Sequence, residues 1–169
     1  MVILVKFIVQ SIMKRLVFIL FSSFLVCFCA KENVVQLTGF TDTGCGRETV
    51  SVLTKSWDGR VPTLTLKYSP EGLVITHTDA VLNCSINNGG IGCDFSIDGN
   101  VIKLRTYEKN GAFLKCICPV DRMSATVSGL RTGSEYVLEY TCGSTTYVPI
   151  DFLYGKDLDK VIDLDLYSY

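Results

Sequence analysis

Histidine and tryptophan are nearly absent from this sequence: each occurs once, as His77 and Trp57. The chain also lacks the G-x-S-x-G nucleophile elbow, the H-E-x-x-H helix and the glycine-rich phosphate loop that mark common catalytic sites. His77 lies in "LVITHT" on the same strand face as Leu73 and Ile75, which favours a core histidine over a catalytic base. We therefore predict a protein that is not an enzyme and that uses no cofactor and no metal.

The longest uncharged apolar run is "LVFILFSSFLVCFCA", from Leu16 to Ala30, and it follows directly on Lys14 and Arg15. A basic pair before a short apolar run is typical of a secretory signal. The run is shorter than the about 20 residues that a membrane-spanning helix needs. We predict a signal peptide over residues 1–29 and a single domain over residues 30–169.

Several alternatives remain open at this end of the chain. Translation starts at Met1 or at Met13, and cleavage after Cys29 competes with lipidation of Cys27 or Cys29, which would give the protein a lipid anchor. A membrane anchor that runs from Met1 would retain Lys6, Lys14 and Arg15 along its length, and a Lys at the centre of a spanning helix costs about 3 kcal/mol. We expect an exported protein in an extracellular, periplasmic or outer-surface location.

The mature chain has no excess of positive charge. Removing the segment with Lys6, Lys14 and Arg15 leaves 16 − 3 = 13 basic against 17 acidic side chains, a net charge of −4. A nucleic-acid-binding domain would carry a basic patch, so we exclude nucleic acid as a partner.

Short alternating segments separated by turn residues dominate the rest of the sequence. "PTLTLKY" places Leu64, Leu66 and Tyr68 on one face, and "SPEG" (69–72) after it predicts a hairpin into "LVITHT". Further turn signals are "NNGG" (87–90), "DGN" (98–100) and "KNG" (109–111), and such Asn-Gly and Asp-Gly pairs favour hairpin turns. The pattern predicts an all-β fold, an antiparallel sandwich or barrel.

Six cysteines follow the predicted signal, and five of them fall on apolar rows of predicted strands. These disulfide candidates are Cys45, which lies in a loop, and Cys84, Cys93, Cys116, Cys118 and Cys142. Cys116 and Cys118 are two residues apart on one strand, too far for an unstrained bond with each other. We favour bonds from Cys84 to Cys116 or Cys118, and from Cys45 to Cys142 or Cys93, over a zinc site, because no cysteine pair has the two-residue zinc spacing.

The segment "VSGLRTGSEYVLEYTC" contains Leu130, Gly133 in a turn, and Tyr136 six residues after the leucine. It resembles the tyrosine corner of fibronectin type III and related immunoglobulin-like sandwiches. The resemblance implies an immunoglobulin-like sandwich in which the Tyr136 hydroxyl binds backbone a few residues upstream, where the chain crosses between sheets. "LNCS" and "CICPVD" are similar to segments of small bacterial exported proteins, which implies a sandwich without a particular activity.

Our leading functional hypothesis is a non-catalytic binding or adhesion module at the cell envelope that presents a loop to a protein or glycan. Trp57 beside an Asp-Gly turn, with Tyr107 and Tyr147, is the candidate ligand-binding group, since aromatic rings provide stacking surfaces. The alternatives are a peptidase inhibitor that offers the "CPVD" segment (118–121) as a loop, and a small hydrolase that uses His77 or an acidic pair.

Overall fold

The strands of this protein form two sheets whose apolar faces meet in one core. The computed structural model describes residues 34–46, 50–51, 61–84, 86, 90–110 and 116–164. Sheet A contains β1 (Gln36–Asp42), β2 (Val50–Ser51), β3 (Thr63–Ser69), β4 (Gly72–Asn83), β7 (Cys116–Ser128) and β11 (Asp159–Asp163). Sheet B contains β5 (Ile91–Asp98), β6 (Val101–Glu108), β8 (Glu135–Cys142), β9 (Thr145–Thr146) and β10 (Ile150–Leu153). The predicted all-β, disulfide-stapled sandwich is confirmed.

Neighbouring strands are antiparallel throughout both sheets with one exception. Sheet A has the order β1-β7-β4-β3-β11 with β2 beside β7, and sheet B has the order β10-β8-β6-β5 with β9 beside β8. The pair β6–β8 is parallel. Parallel neighbours need a crossover connection, and here the chain makes it by passing through β7 in the other sheet.

Two of the four predicted turns close hairpins. Ser69 pairs with Gly72 across the β3–β4 turn, and Asp98 pairs with Val101 across the β5–β6 turn. "NNGG" and "KNG" instead lie where the chain passes from β4 to β5 and from β6 to β7, each time from one sheet to the other. The prediction of hairpins at these two sites is wrong, because the turn residues signal a reversal but do not determine which sheet receives the next strand.

β4 is one long strand whose buried face changes partway along. His77 and Ala80 are both buried, although an uninterrupted strand would bury residues of equal parity. Between them Asp79 has a φ of 55°, and the partner strand β7 makes the same change between Val120 and Met123. The segment "LVITHT" (73–78) therefore continues past Asp79 to Asn83 as a single strand.

The segment that resembles a tyrosine corner lies at the crossing from β7 to β8. The Arg131 backbone N–H donates a hydrogen bond to the Tyr136 hydroxyl, 3.0 Å away, and Leu130 is buried. Gly133 has a φ of 81° and donates its N–H to the Tyr154 carbonyl at 2.8 Å. These contacts hold the chain where it leaves sheet A for sheet B.

Cys45 and Cys118 form a disulfide with Cα atoms 5.5 Å apart. The predicted bonds of Cys45 to Cys142 or Cys93, and of Cys84 to Cys118, are therefore wrong. The reason is strand pairing: β1 lies beside β7, so the loop after β1 continues along β7 and brings Cys45 to Cys118.

Cys84 is disulfide-bonded as well, while the side chain of its other predicted partner, Cys116, lies outside the described residues. Cys93 and Cys142 carry free thiols. Both are paired with Thr106, on opposite sides of β6. Two interstrand spacings, about 9 to 10 Å, thus separate their backbones, which exceeds the reach of a disulfide.

Candidate functional site

The solvent face of sheet A carries a grid of hydroxyl groups. We call this surface the hydroxyl face and define it by six residues on four adjacent strands: Thr41 on β1, Thr63 and Thr65 on β3, Thr76 and Thr78 on β4, and Ser124 on β7. The alternate residues of these strands, such as Leu64, Ile75 and Ala125, are buried in the core. Because strand side chains alternate between faces, the hydroxyl groups point to solvent.

Strand register aligns these hydroxyl residues in rows across the sheet. One row runs through directly paired residues from β11 to β1: Val161, Thr65, Thr76, Ser124 and Thr41. Thr63 and Thr78 form the neighbouring row. Paired strands are about 4.8 Å apart and alternate residues about 6.5 to 7 Å apart, so the rows and strands define a regular two-dimensional spacing.

Hydrogen bonds between side chains orient part of this surface. The Thr63 and Thr78 hydroxyls are 2.5 Å apart, and the Thr76 and Ser124 hydroxyls are 3.2 Å apart. Each hydroxyl offers one donor and two acceptor lone pairs, so a single hydrogen bond leaves capacity for a ligand. The β-branched threonines also hold χ1 stiffly, which keeps their methyl and hydroxyl groups in fixed positions.

Charged side chains border the hydroxyl face and are absent from the row through Thr65 and Thr76. Lys67 and Asp159 form a salt bridge of 3.2 Å in the adjacent row, with both side chains more than half exposed. At the end of the central row Val161 is 66% exposed. On the other side, Asp163 pairs with Thr63 and Arg122 pairs with Thr78, so the row of these two threonines has a charge at each end. The central row is therefore an uncharged strip between two rows that carry charges.

The solvent face of sheet B is very different. It carries the exposed ionic residues Asp94, Asp98, Lys103, Arg105, Glu135, Glu139 and Asp151. Lys103 and Glu139 form a salt bridge of 3.4 Å. Charged residues of both signs are ordinary for a solvated sheet face, so the uncharged central row of sheet A is the exceptional feature.

The single histidine lies inside the sandwich. His77 is 2% exposed, and its Nδ1 shares a hydrogen bond of 2.8 Å with the Tyr140 hydroxyl, which also contacts the Thr106 hydroxyl at 3.2 Å. Its Nε2 has no hydrogen-bond partner among the described residues. Burial lowers the pKa of His77 to about 4. This position matches the interpretation of His77 as a core residue.

The aromatic residues proposed as a ligand platform do not lie together. Trp57 is outside the described residues. Tyr107 lies on sheet B, where its hydroxyl donates to Asp94 at 3.1 Å; this hydrogen bond and the carboxylate charge raise the pKa of Tyr107. Tyr147 is buried and stacks on Tyr140 with ring centroids 5.6 Å apart. The assignment of Tyr147 to a surface platform is therefore corrected, since its ring packs in the core.

The "CPVD" segment is part of β7 and not a loop. Cys118 and Val120 are buried, and residues 118–120 pair with β4. A segment that is hydrogen-bonded within a sheet cannot enter the cleft of a peptidase in extended form. The peptidase-inhibitor hypothesis requires an exposed loop at this segment, and the segment is a strand instead.

Sequence reasoning missed the hydroxyl face, although part of its signal is visible in the sequence. Thr63-Leu64-Thr65 and Thr76-His77-Thr78 repeat one pattern, a buried residue between two threonines. Alternation predicts that each pair shares a face, but only the register shows that the two pairs adjoin.

In the part of the chain that the structure describes, no three His, Cys, Asp or Glu side chains are grouped closely enough to hold a metal ion. No helix with the length and apolar character required to cross a bilayer is found in the same residues.

Comparison with protein-family models, with curated proteins and with solved structures finds no match.

Proposed function

We propose that this protein is an exported, non-catalytic binding module of the immunoglobulin-like type, and that the hydroxyl face is its contact surface. The observation that carries the proposal is the contrast between the two solvent faces. Sheet B has the charged surface of an ordinary solvated sheet, whereas four adjacent strands of sheet A share one uncharged row of hydroxyl residues between charged rows. Strand propensity does not account for this contrast, because it applies equally to both sheets.

Rigid support favours the same surface as a binding site. The side chains under it, including Leu64, Leu66, Ile75 and Val127, are at most 2% exposed. The Cys45–Cys118 disulfide joins the loop after β1 to β7, one of the four strands that carry the hydroxyl face. A binding surface on such strands loses little conformational entropy when a partner binds. The disulfide also supports an oxidising compartment, in agreement with the predicted signal peptide.

The test is retention of the mature protein on cell-envelope material from its source organism. Thr76→Lys places a charge at the centre of the hydroxyl face, and Thr141→Lys places the same charge on the outer face of sheet B as a matched control. We expect Thr76→Lys to abolish retention and Thr141→Lys to retain it. Equal retention of both folded variants would show that the contact surface lies elsewhere.

A further inference from the structure

We propose that the hydroxyl face binds a neutral polysaccharide along its chain. This inference rests on the proposed function, because it names the class of ligand for the same surface. Three properties of the face support it: the absence of charge along its central row, its hydrogen-bonding groups and its periodicity.

The absence of charge along the central row disfavours ionic ligands. The central row through Thr65, Thr76 and Ser124 has no charged side chain. The charges beside it are of both signs, with Lys67 and Asp159 on one side and Asp163 and Arg122 on the other. A strongly acidic or basic ligand would lose its hydration there without gaining a counter-charge. An uncharged ligand avoids this cost.

The hydrogen-bonding groups of the face indicate which class of uncharged ligand fits it. Hydroxyls act as both donors and acceptors, so the face is complementary to a ligand that also offers both. Sugar hydroxyls meet this requirement, and the methyl groups of threonine together with Val161 provide apolar contacts for the C–H faces of sugar rings. The side chain of Thr76 contacts Ser124 and that of Thr63 contacts Thr78, so these hydroxyls are oriented before a ligand arrives.

The periodicity of the face selects a polymer over a single sugar. Hydroxyl residues recur on four neighbouring strands in the row from Thr65 to Thr41, so a repeating ligand can form the same contact several times. No aromatic side chain belongs to the hydroxyl face as defined, so each sugar unit is held weakly. Binding strength must then come from several contacts along one chain, which raises the apparent affinity of a polymer far above that of its monomer.

The experiment is affinity electrophoresis of the mature protein in native gels cast with dextran, xyloglucan, mixed-linkage β-glucan or mannan. We expect retardation by at least one of these polymers, no competition from its monosaccharide at millimolar concentration, and little change between low and moderate salt. The double variant Thr65→Val/Thr76→Val removes two hydroxyls while keeping shape and strand propensity. It should weaken the retarding interaction about tenfold or more, since each hydrogen bond contributes roughly a factor of three to ten.

The matched control is Thr141→Val/Thr146→Val, which removes a hydroxyl pair from sheet B, where the two oxygens are 3.4 Å apart. It should leave retardation unchanged. Should the valine variant of the hydroxyl face fold poorly, Thr65→Lys on the same row serves as a second probe.

Three results would overturn the inference. Absence of retardation by all four polymers would exclude the ligand class; if Thr76→Lys still abolished envelope retention, the proposed function would stand with a different partner. Retardation that disappears at moderate salt would show that ionic side chains, and not the hydroxyl groups, carry the binding. Inhibition of ice recrystallisation without any polysaccharide binding would assign the hydroxyl grid to ice.

Discussion

His77 Nδ1 and the Tyr140 hydroxyl, 63 residues apart in sequence, share a hydrogen bond of 2.8 Å between the two sheets. His77 belongs to β4 of sheet A and Tyr140 to β8 of sheet B, so this bond links the halves of the sandwich. The His77 and Tyr140 rings meet edge to face with centroids 5.4 Å apart. The only histidine of the chain therefore supports the core, and it does so in its uncharged form.

The stability of the protein should fall when the pH drops from about 6.5 to about 4. Burial lowers the pKa of His77 to about 4. Between these pH values His77 is therefore protonated in the unfolded chain and neutral in the folded chain, so a falling pH favours unfolding. A difference of this size corresponds to about 3 kcal/mol of unfolding free energy. Urea unfolding at pH 7 and at pH 4.5 measures the loss.

His77→Leu removes the titrating group and is the matching variant. Its unfolding free energy should change much less between these pH values, whatever its absolute stability. An unchanged pH dependence in the variant would show that other groups cause it.

Cys93 and Cys142 should both be detectable as free thiols in protein that has not been reduced. Burial raises the pKa of both Cys93 and Cys142 to about 11, so at pH 8 roughly one thiol in a thousand is ionised and ready to react. We expect slow alkylation of half-buried Cys93 in the folded protein, faster by about tenfold per pH unit, and alkylation of Cys142 only after unfolding. Peptide mass mapping after labelling locates each site, and a bond between the two cysteines would contradict the structure.

Tyr136→Phe should destabilise the protein by about 1 to 2 kcal/mol. The variant removes the hydroxyl that accepts the Arg131 N–H and leaves a partly buried donor without a partner. Tyr107→Phe is the control, because it removes an exposed hydroxyl that donates to Asp94, and it should change the unfolding free energy much less. Equal effects of the two changes in urea unfolding would show that the corner contact is dispensable.

Gly72→Ala should be more harmful than Gly99→Ala. Gly72 has a φ of 146°, and a Cβ there would collide with the Val127 carbonyl group of the neighbouring strand. Gly99 has a φ of 59° and open space around the same position. We expect losses of at least about 2 kcal/mol and of about 1 kcal/mol, respectively. Thermal unfolding of both variants checks the order, and a reversed order would contradict the described β3–β4 turn.

Local chemistry determined much of this protein in advance. Alternation of apolar residues predicts that Leu64, Leu66 and His77 face the core, and turn residues predict the reversals at "SPEG" and "DGN". These features depend on the two-residue period of a strand and on the conformations of single turns, so neighbouring residues suffice to read them.

Only the tertiary structure decided which strands adjoin. Alternation assigns a residue to a face but does not name its neighbour, and for this reason the bond between Cys45 and Cys118, 73 residues apart, was not foreseen. The same holds for the hydroxyl face, where Thr41 and Ser124 are brought into register by the pairing of β1 with β7. Long-range pairing is set by the combined packing of two sheets, and that energy is not contained in any one segment of the sequence.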